Sequence, residues 1–180
     1  IGFCLVGSEM CIRDSFLFVS KWDYGYSRYS FPFGLPPFKG KIFENTPERG
    51  DIIVFKLPGQ ENINYVKRLV GLPGETIKVV NGKIYLKTEN STDFEVLDQI
   101  EDGFFYDDQY GKEIQQLIEN EYRILNITND GPLDYTPEYE IPKDKFFFMG
   151  DNRDNSSDSR ILSGVGSVSY THLTLPTKVT

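Results

Sequence analysis

The sequence predicts a mainly β protein in which the strands of the core are separated by an inserted, smaller β-rich subdomain. Hydrophobic residues make up 39% and aromatic residues 14% of the 180 positions, with 14 Phe and 11 Tyr. This enrichment is typical of β-rich proteins and argues against disorder. Short apolar runs end at Gly and Pro turns, and Asn81-Gly82 between two such runs is the strongest hairpin signal in the chain.

The charge balance excludes one large class of partner. The formal net charge is -8 and the isoelectric point is about 4.7. Phosphate binding depends on clustered Lys and Arg, and the sequence has no such stripe, so we expect no nucleic-acid partner. The sequence also lacks a run of about 18 apolar residues, the length from which a membrane-spanning helix is predicted.

Cysteine and histidine occur only near the two ends of the sequence, as Cys4, Cys11 and His172. The body of the chain therefore has no residues for a Ser-His-Asp triad, a Cys-His pair or the usual zinc sites. Any chemistry in the body must use Ser, Lys, Asp, Glu, Arg or Tyr.

The two ends also differ in character from the body. Residues 1–15 (IGFCLVGSEMCIRDS) fit no helix or strand pattern, and residues 167–180 (SVSYTHLTLPTKVT) are equally unusual. Both strings resemble translated adaptor sequence, so we expect that neither belongs to the natural protein. Resequencing the locus tests this expectation, because recovery of these codons from an intact genomic clone would contradict it.

Residues 16–86 form the first part of the predicted core. Its strands are predicted at Phe16–Ser20, Ile52–Phe55, Tyr65–Val70, Thr76–Val80 and Lys83–Leu86. The second of these follows a turn at Arg49-Gly50-Asp51, and its nearly continuous apolar run predicts burial on both faces.

Residues 87–140 are the predicted insertion. This stretch is acidic and polar with scattered Tyr and Phe, and it contains a helix-compatible piece around Glu113 to Asn120. Ile141-Pro142 then begins the second part of the core, residues 141–166, in which Lys145 to Met149 (KFFFM) is predicted to be a buried strand.

Lys67 is the first candidate functional residue. In an extended segment the period of two places Tyr65, Lys67 and Leu69 on one face, so the ammonium lies between an aromatic ring and a leucine. Desolvation lowers the pKa of a lysine, and a neutral lysine can act as a general base. The alternative is a surface lysine whose stem covers apolar neighbours while its charge stays in water.

Gly150 to Arg160 (GDNRDNSSDSR) is a dense polar loop directly after an apolar strand. A calcium loop fits poorly, because a start at Asp151 places Arg153 at a ligand position and Ser156 where glycine is required. A loop that braces itself fits better, because an arginine fork pairs well with a carboxylate and Asp158 lies close to Arg160. In such a loop a serine hydroxyl is left to contact a group outside the Asp-Arg pair.

Three blocks, taken together and in order, resemble bacterial type I signal peptidases: RGDIIVF (Arg49 to Phe55), YVKRLVGLPGE (Tyr65 to Glu75) and FFFMGDNRDNSSDSR (Phe146 to Arg160). The resemblance implies a signal-peptidase-like β core and a serine endopeptidase with a Ser/Lys dyad. Such an enzyme removes N-terminal signal peptides from exported preproteins after small residues. It is anchored in the bacterial inner membrane with its catalytic domain on the extracytoplasmic side, and no cofactor is implied.

The resemblance also implies residue roles. Lys67 is expected to be the general base, Ser156 to orient that lysine, and Asp158 with Arg160 to brace the loop. Tyr65 and Val66 are expected to bind substrate by lining the pocket for the small side chain before the cut. We also expect their strand to pair with the extended peptide, so that main-chain hydrogen bonds bind the peptide and shallow pockets select its side chains.

One block of the family pattern is missing from the sequence. The nucleophile belongs to a block Ser-x-Ser-Met-x-Pro-Thr-Leu shortly before the first strand, and Ser8-Glu9-Met10 echoes it only superficially. We therefore assign the nucleophile to no residue, and we expect a truncated fragment that also lacks the oxyanion-hole serine and the membrane anchor and is inactive as given. Two alternatives remain, a self-cleaving Ser/Lys peptidase related to repressors and a non-catalytic β-rich module that binds extended peptides.

Overall fold

The computed structural model describes residues 46–55, 63–107, 111–161 and 166–169. All regular secondary structure in these ranges is β, which confirms the mainly β fold class, and they contain no helix suited to crossing a membrane. In chain order the strands are β1 Ile52–Phe55, β2 Tyr65–Gly71, β3 Thr76–Val80, β4 Lys83–Lys87, β5 Glu95–Val96, β6 Gln99–Asp107, β7 Lys112–Glu119, β8 Tyr122–Asn126, β9 Tyr139–Glu140, β10 Lys145–Met149 and β11 Val168–Ser169. The strand predicted at Phe16–Ser20 lies outside the described residues.

The first sheet has the order β1-β2-β10-β11, and its pairs are antiparallel. Strand β10 separates two hydrophobic clusters, because Phe146 and Phe148 pack in one while Phe147 and Met149 pack in the other. A strand that is buried on both faces needs apolar residues at successive positions, which accounts for the unbroken run in KFFFM. The predicted strand is therefore confirmed.

The turn before β1 is also as predicted. Gly50 has a φ of 96°, which favours glycine, and its N–H donates to the carbonyl of Leu69 at 2.8 Å. The N–H of Leu69 in turn donates to the carbonyl of Asp51 at 2.8 Å. The RGD triplet thus starts the pairing of β1 with β2, and three of the four β1 residues are buried.

The second sheet has the order β5-β4-β3-β9. Strands β3 and β4 form the predicted hairpin, and Asn81 and Gly82 both have positive φ, 53° and 71°, as a two-residue type I′ turn requires. Strands β5 and β9 come from the segment predicted to be inserted, yet they pair with β4 and β3 of the predicted core. The boundaries at residues 87 and 140 remain predictions.

The third sheet has the order β6-β7-β8. The helix-compatible reading of Glu113 to Asn120 is wrong, because these residues lie mostly in β7, which pairs with β6 on one side and β8 on the other. Ile114, Leu117 and Ile118 have helical spacing, and Glu, Gln and Leu favour helices. Hydrogen bonding on both edges of the strand overrides that local preference.

The short strand β11 lies within the stretch predicted to be foreign. Val168 pairs with Phe146 of β10 and is buried in the first hydrophobic cluster. The residues of the other predicted foreign stretch, 1–15, lie outside the described part of the chain. The adaptor hypothesis remains a prediction for both ends.

Candidate active site

Lys67 lies in the middle of the first sheet, where β1 places Ile53 opposite it. Its side chain is only 3% exposed, on the same strand face as the buried Leu69 and the half-buried Tyr65. The ammonium nitrogen donates to the hydroxyl oxygen of Ser156 at 2.7 Å. The structure therefore brings together two residues that are 89 positions apart in sequence.

The environment of Lys67 favours its neutral form. Burial lowers the pKa of Lys67 from its ordinary value of 10.5. Asp158 raises this pKa, Arg160 lowers it and Asp151 raises it, so the nearby charges partly cancel and desolvation decides the direction. Only the neutral amine can accept a proton, and a lowered pKa lets this form occur at lower pH.

Gly150 allows the close approach of Ser156 to Lys67. A Cβ atom added at Gly150 would lie 2.5 Å from the Cβ of Ser156 and 3.4 Å from the Lys67 nitrogen, and it would overlap the serine hydroxyl. A non-glycine residue at this position must displace the serine. Glycine here serves packing around the lysine, which explains its place directly after the buried strand.

Gly150→Ala should separate Ser156 from Lys67. We expect a loss of about 1–3 kcal/mol in the free energy of unfolding from overpacking and a rise of the Lys67 pKa toward 10.5. NMR titration of the lysine ε-carbons together with chemical denaturation measures both.

Gly111→Ala is the control, because its Cβ meets no atom within 4 Å although φ is 61°. It should weaken stability without moving the Lys67 titration, and equal pKa values in the two variants would contradict the packing role of Gly150.

Asp158 and Arg160 form the bracing pair that the sequence predicts. The Nε and Nη2 of Arg160 donate to the two oxygens of Asp158 at 2.9 and 2.8 Å, and the backbone N–H of Gly150 also donates to this carboxylate at 3.0 Å. Burial alone would raise the pKa of Asp158, but the charge and hydrogen bonds of Arg160 outweigh burial and hold that pKa below its usual range. The pair thus closes the loop between Gly150 and Arg160.

The same loop is tied back to β10 by Ser159, which sequence reasoning did not single out. The backbone N–H of Phe148 donates to the hydroxyl oxygen of Ser159 at 3.0 Å, and the N–H of Ser159 donates to the carbonyl of Phe148 at 3.0 Å. A serine next to Asp158 in a polar loop carried no signal for this role.

The three aspartates of the loop each accept hydrogen bonds within the protein. Asp151 pairs with Arg68, Asp158 pairs with Arg160, and Asp154 accepts the backbone N–H groups of residues 127 and 128 at 2.6 and 3.2 Å. Across the described ranges, no group of three or more His, Cys, Asp and Glu side chains is arranged to bind a metal ion.

Arg68, the residue after the lysine, was missed as a site residue. Its Nε and Nη2 donate to the two oxygens of Asp151 at 2.8 and 2.7 Å, and its Nη1 donates to the carbonyl of Gly50 at 2.7 Å. The guanidinium also lies 4.2 Å from the centre of the Tyr122 ring. The motif blocks contain both charged residues, but only the fold shows that they pair.

Arg153 and Glu119 form a second pair that the sequence did not reveal. The Nη1 and Nη2 of Arg153 donate to the two oxygens of Glu119, the first of them at 2.9 Å. Glu119 is 0% exposed and Arg153 is 3% exposed. Burial alone would raise the pKa of Glu119, but the charge and hydrogen bonds of Arg153 outweigh burial and lower it.

Tyr65 and Val66 begin β2, immediately before Lys67. They pair with Phe55 and Val54 of β1, and the ring of Tyr65 stacks on Phe55 with centres 5.9 Å apart. Both residues are half-buried, and successive strand positions point to opposite faces, so only Tyr65 shares the face of the lysine.

Comparisons with known proteins place the chain in one family. The family model described as "Signal peptidase, peptidase S26" matches residues 9–174. Signal peptidase I of Rickettsia akari is 37% identical over 164 residues, covering 85% of this chain and 60% of the relative, and signal peptidase I of Rickettsia bellii is 36% identical over 162 residues.

A solved signal peptidase I from Enterococcus faecalis aligns with 25% identity and a TM-score of 0.46 over 76% of this chain and 98% of that one. The chain spans about 60% of the length of the first two curated relatives. Because the family model covers nearly the whole sequence, the chain belongs to the type I signal peptidases of family S26.

Proposed function

We propose that the natural protein containing this region is a serine endopeptidase that removes N-terminal signal peptides from exported preproteins. The observation that carries the proposal is the buried contact between Lys67 and Ser156, in which the lysine is desolvated and its amine is held at 2.7 Å from a hydroxyl. Lysine is the base that such chemistry can use in a body without histidine or cysteine.

In the proposed reaction the neutral amine of Lys67 takes the proton from the hydroxyl of the nucleophilic serine as its oxygen attacks the scissile carbonyl. The resulting ammonium then gives this proton to the departing amine, so that an acyl-enzyme remains. Lys67 next accepts a proton from the attacking water, and that proton returns to the serine when the acyl group leaves. Ser156 orients the amine throughout, while Asp158 and Arg160 hold the loop that carries Ser156.

We assign the nucleophile to no residue of the printed sequence, because the Ser-x-Ser-Met-x-Pro-Thr-Leu block is not found in it. Tyr65 and Val66 are the proposed substrate-binding residues, lying one and two positions before the base. The proposed partners are signal peptides and, through an anchor in the natural protein, the bacterial inner membrane. The proposed location of the catalytic region is the extracytoplasmic side.

Cleavage of a preprotein tests this proposal. The completed protein is one in which the family's serine block replaces the residues before Phe16. It should release the signal peptide, and the 180-residue chain as printed should not. Removing the nucleophile of a serine hydrolase lowers the rate by about 10⁶-fold. The matched control carries the same block with its nucleophilic serine changed to alanine. Cleavage at a normal rate by the printed chain, or none by the completed protein, would contradict the proposal.

The pH dependence of cleavage should report the lysine. Lys67 accepts a proton only when it is neutral, so kcat/KM should rise with pH through the pKa of Lys67 and then level off. Burial lowers this pKa from 10.5, so the acidic limb should have its midpoint below pH 10.5. A profile of kcat/KM on a preprotein measures it. A midpoint at or above pH 10.5 would show that a buried lysine is not the base.

A further inference from the structure

The polar loop after β10 is joined to the third sheet by its backbone. Strand β8 is an edge of that sheet, and Leu125 of β8 forms a parallel bridge with Asn152 of the loop. The N–H of Leu125 donates to the carbonyl of Asp151 at 2.8 Å, and the N–H of Arg153 donates to the carbonyl of Leu125 at 3.0 Å. The loop therefore extends the third sheet directly after Gly150.

A buried side-chain network lies at the same junction. Glu119, at the end of β7, accepts from Gln99 at 2.7 Å and from the hydroxyl of Tyr122 at 2.9 Å, in addition to its two bonds from Arg153. The Nε of Arg153 donates to the carbonyl of Gly150 at 3.2 Å. The network thus connects three residues of the third sheet to the glycine that lies against Ser156 and Lys67.

Stability does not by itself account for this pair. A buried ion pair pays a large desolvation penalty, and well-packed apolar residues of similar volume often hold a fold equally well. What apolar residues cannot do is donate to the carbonyl of Gly150. The pair has a geometric consequence, because the position of Gly150 determines how closely Ser156 approaches the lysine.

We propose that Glu119 is a positioning residue for the reaction: through Arg153 it fixes Gly150 and thereby the contact between Ser156 and Lys67. The inference rests on the proposed function and deepens it. The third sheet is then a support of the active site, attached to its loop by backbone bonds at Leu125 and by a side-chain pair at Glu119.

The double variant E119L/R153M tests the inference, because it removes both charges and keeps apolar volume. In the completed, cleaving protein, kcat should fall roughly 10- to 100-fold with little change in KM, since displacement of a catalytic group by about 1 Å has effects of this size. In the 180-residue chain, the pKa of Lys67 should rise toward 10.5 as the loosened loop admits water. Asp151, Asp158 and Arg160, the charged groups that act on Lys67, are unchanged in this variant.

The matched control is D102L/R123M, which removes an exposed ion pair of the same sheet and should alter neither kcat nor the Lys67 pKa. E119L/R153M must first be shown to be as stable as the unchanged protein. If Glu119 has only a structural role, this variant then behaves like the control, and that result would overturn the inference. A lowered Lys67 pKa would also overturn it, because Glu119 would then act by charge and not by position. If the unchanged completed protein does not cleave, the proposed function fails, and the lysine titration still decides the positioning role.

Discussion

Replacing Lys67 with methionine should lower kcat/KM for preprotein cleavage by about 10⁴-fold, because the variant keeps the shape of the site but has no group to accept the serine proton. Lys67 is 3% exposed and its amine is hydrogen-bonded to Ser156, so water has little room to take its place. Cleavage assays on the completed protein at saturating and limiting preprotein concentrations separate kcat from KM. The loss should appear in kcat.

Stability should respond differently from activity in the same variant. Because the pKa of Lys67 is lowered in the folded chain, the unfolded chain binds more protons than the folded chain between that pKa and 10.5. The free energy of unfolding therefore rises with pH across this window. Lys67→Met should remove this dependence without lowering stability at neutral pH. Lys143→Met, at an exposed lysine paired with Glu89, is the control and should change both kcat and stability little. A fully active Lys67→Met protein would exclude the lysine as the base.

Breaking the buried pair between Glu119 and Arg153 should have the largest effect on stability. Glu119→Gln or Arg153→Met leaves one charge buried without its partner, which costs about 3–5 kcal/mol. Replacing both residues, as Leu and Met, should return the free energy of unfolding to near its original value. Chemical denaturation followed by circular dichroism measures all three variants.

The exposed pair of Asp102 and Arg123 gives the comparison within the same sheet. Arg123 is 70% exposed at its side chain, so Asp102→Asn should cost no more than about 1 kcal/mol. If Glu119→Gln costs no more than Asp102→Asn, the pair at Arg153 is solvated and the network does not hold the loop. If the single variants at Glu119 or Arg153 and the double variant lose equal free energy of unfolding, packing and not the unpaired charge causes the effect.

Local signals in the sequence predicted those core strands that the structure describes. The Asn-Gly turn, the RGD turn and the apolar run KFFFM each specify a conformation through neighbouring residues, and each is found in the structure. The segment of β7 is compatible with a helix by its spacing, and its β character comes from pairing with β6 and β8. The residues of a strand do not by themselves show which distant strand it pairs with.

The site residues also divide into those with a local signal in the sequence and those without one. Lys67 is a candidate because of the apolar face of its strand, and Asp158 with Arg160 because the bracing contact spans only two residues. Glu119 lies 34 residues from Arg153, in the stretch that the sequence marks as acidic and polar. Nothing in its neighbours indicates burial, so only the fold reveals that it reaches the polar loop that carries Ser156.

The titration of Lys67 tests the central claim most directly. In the 180-residue chain, the ε-carbon resonance of Lys67, assigned by its loss in Lys67→Met, should titrate below the ordinary lysine pKa of 10.5, because the amine is buried beside Ser156. A midpoint well below those of the exposed lysines is the predicted result. A midpoint at or above 10.5 would contradict a neutral, buried base and favour a module that binds extended peptides without cutting them.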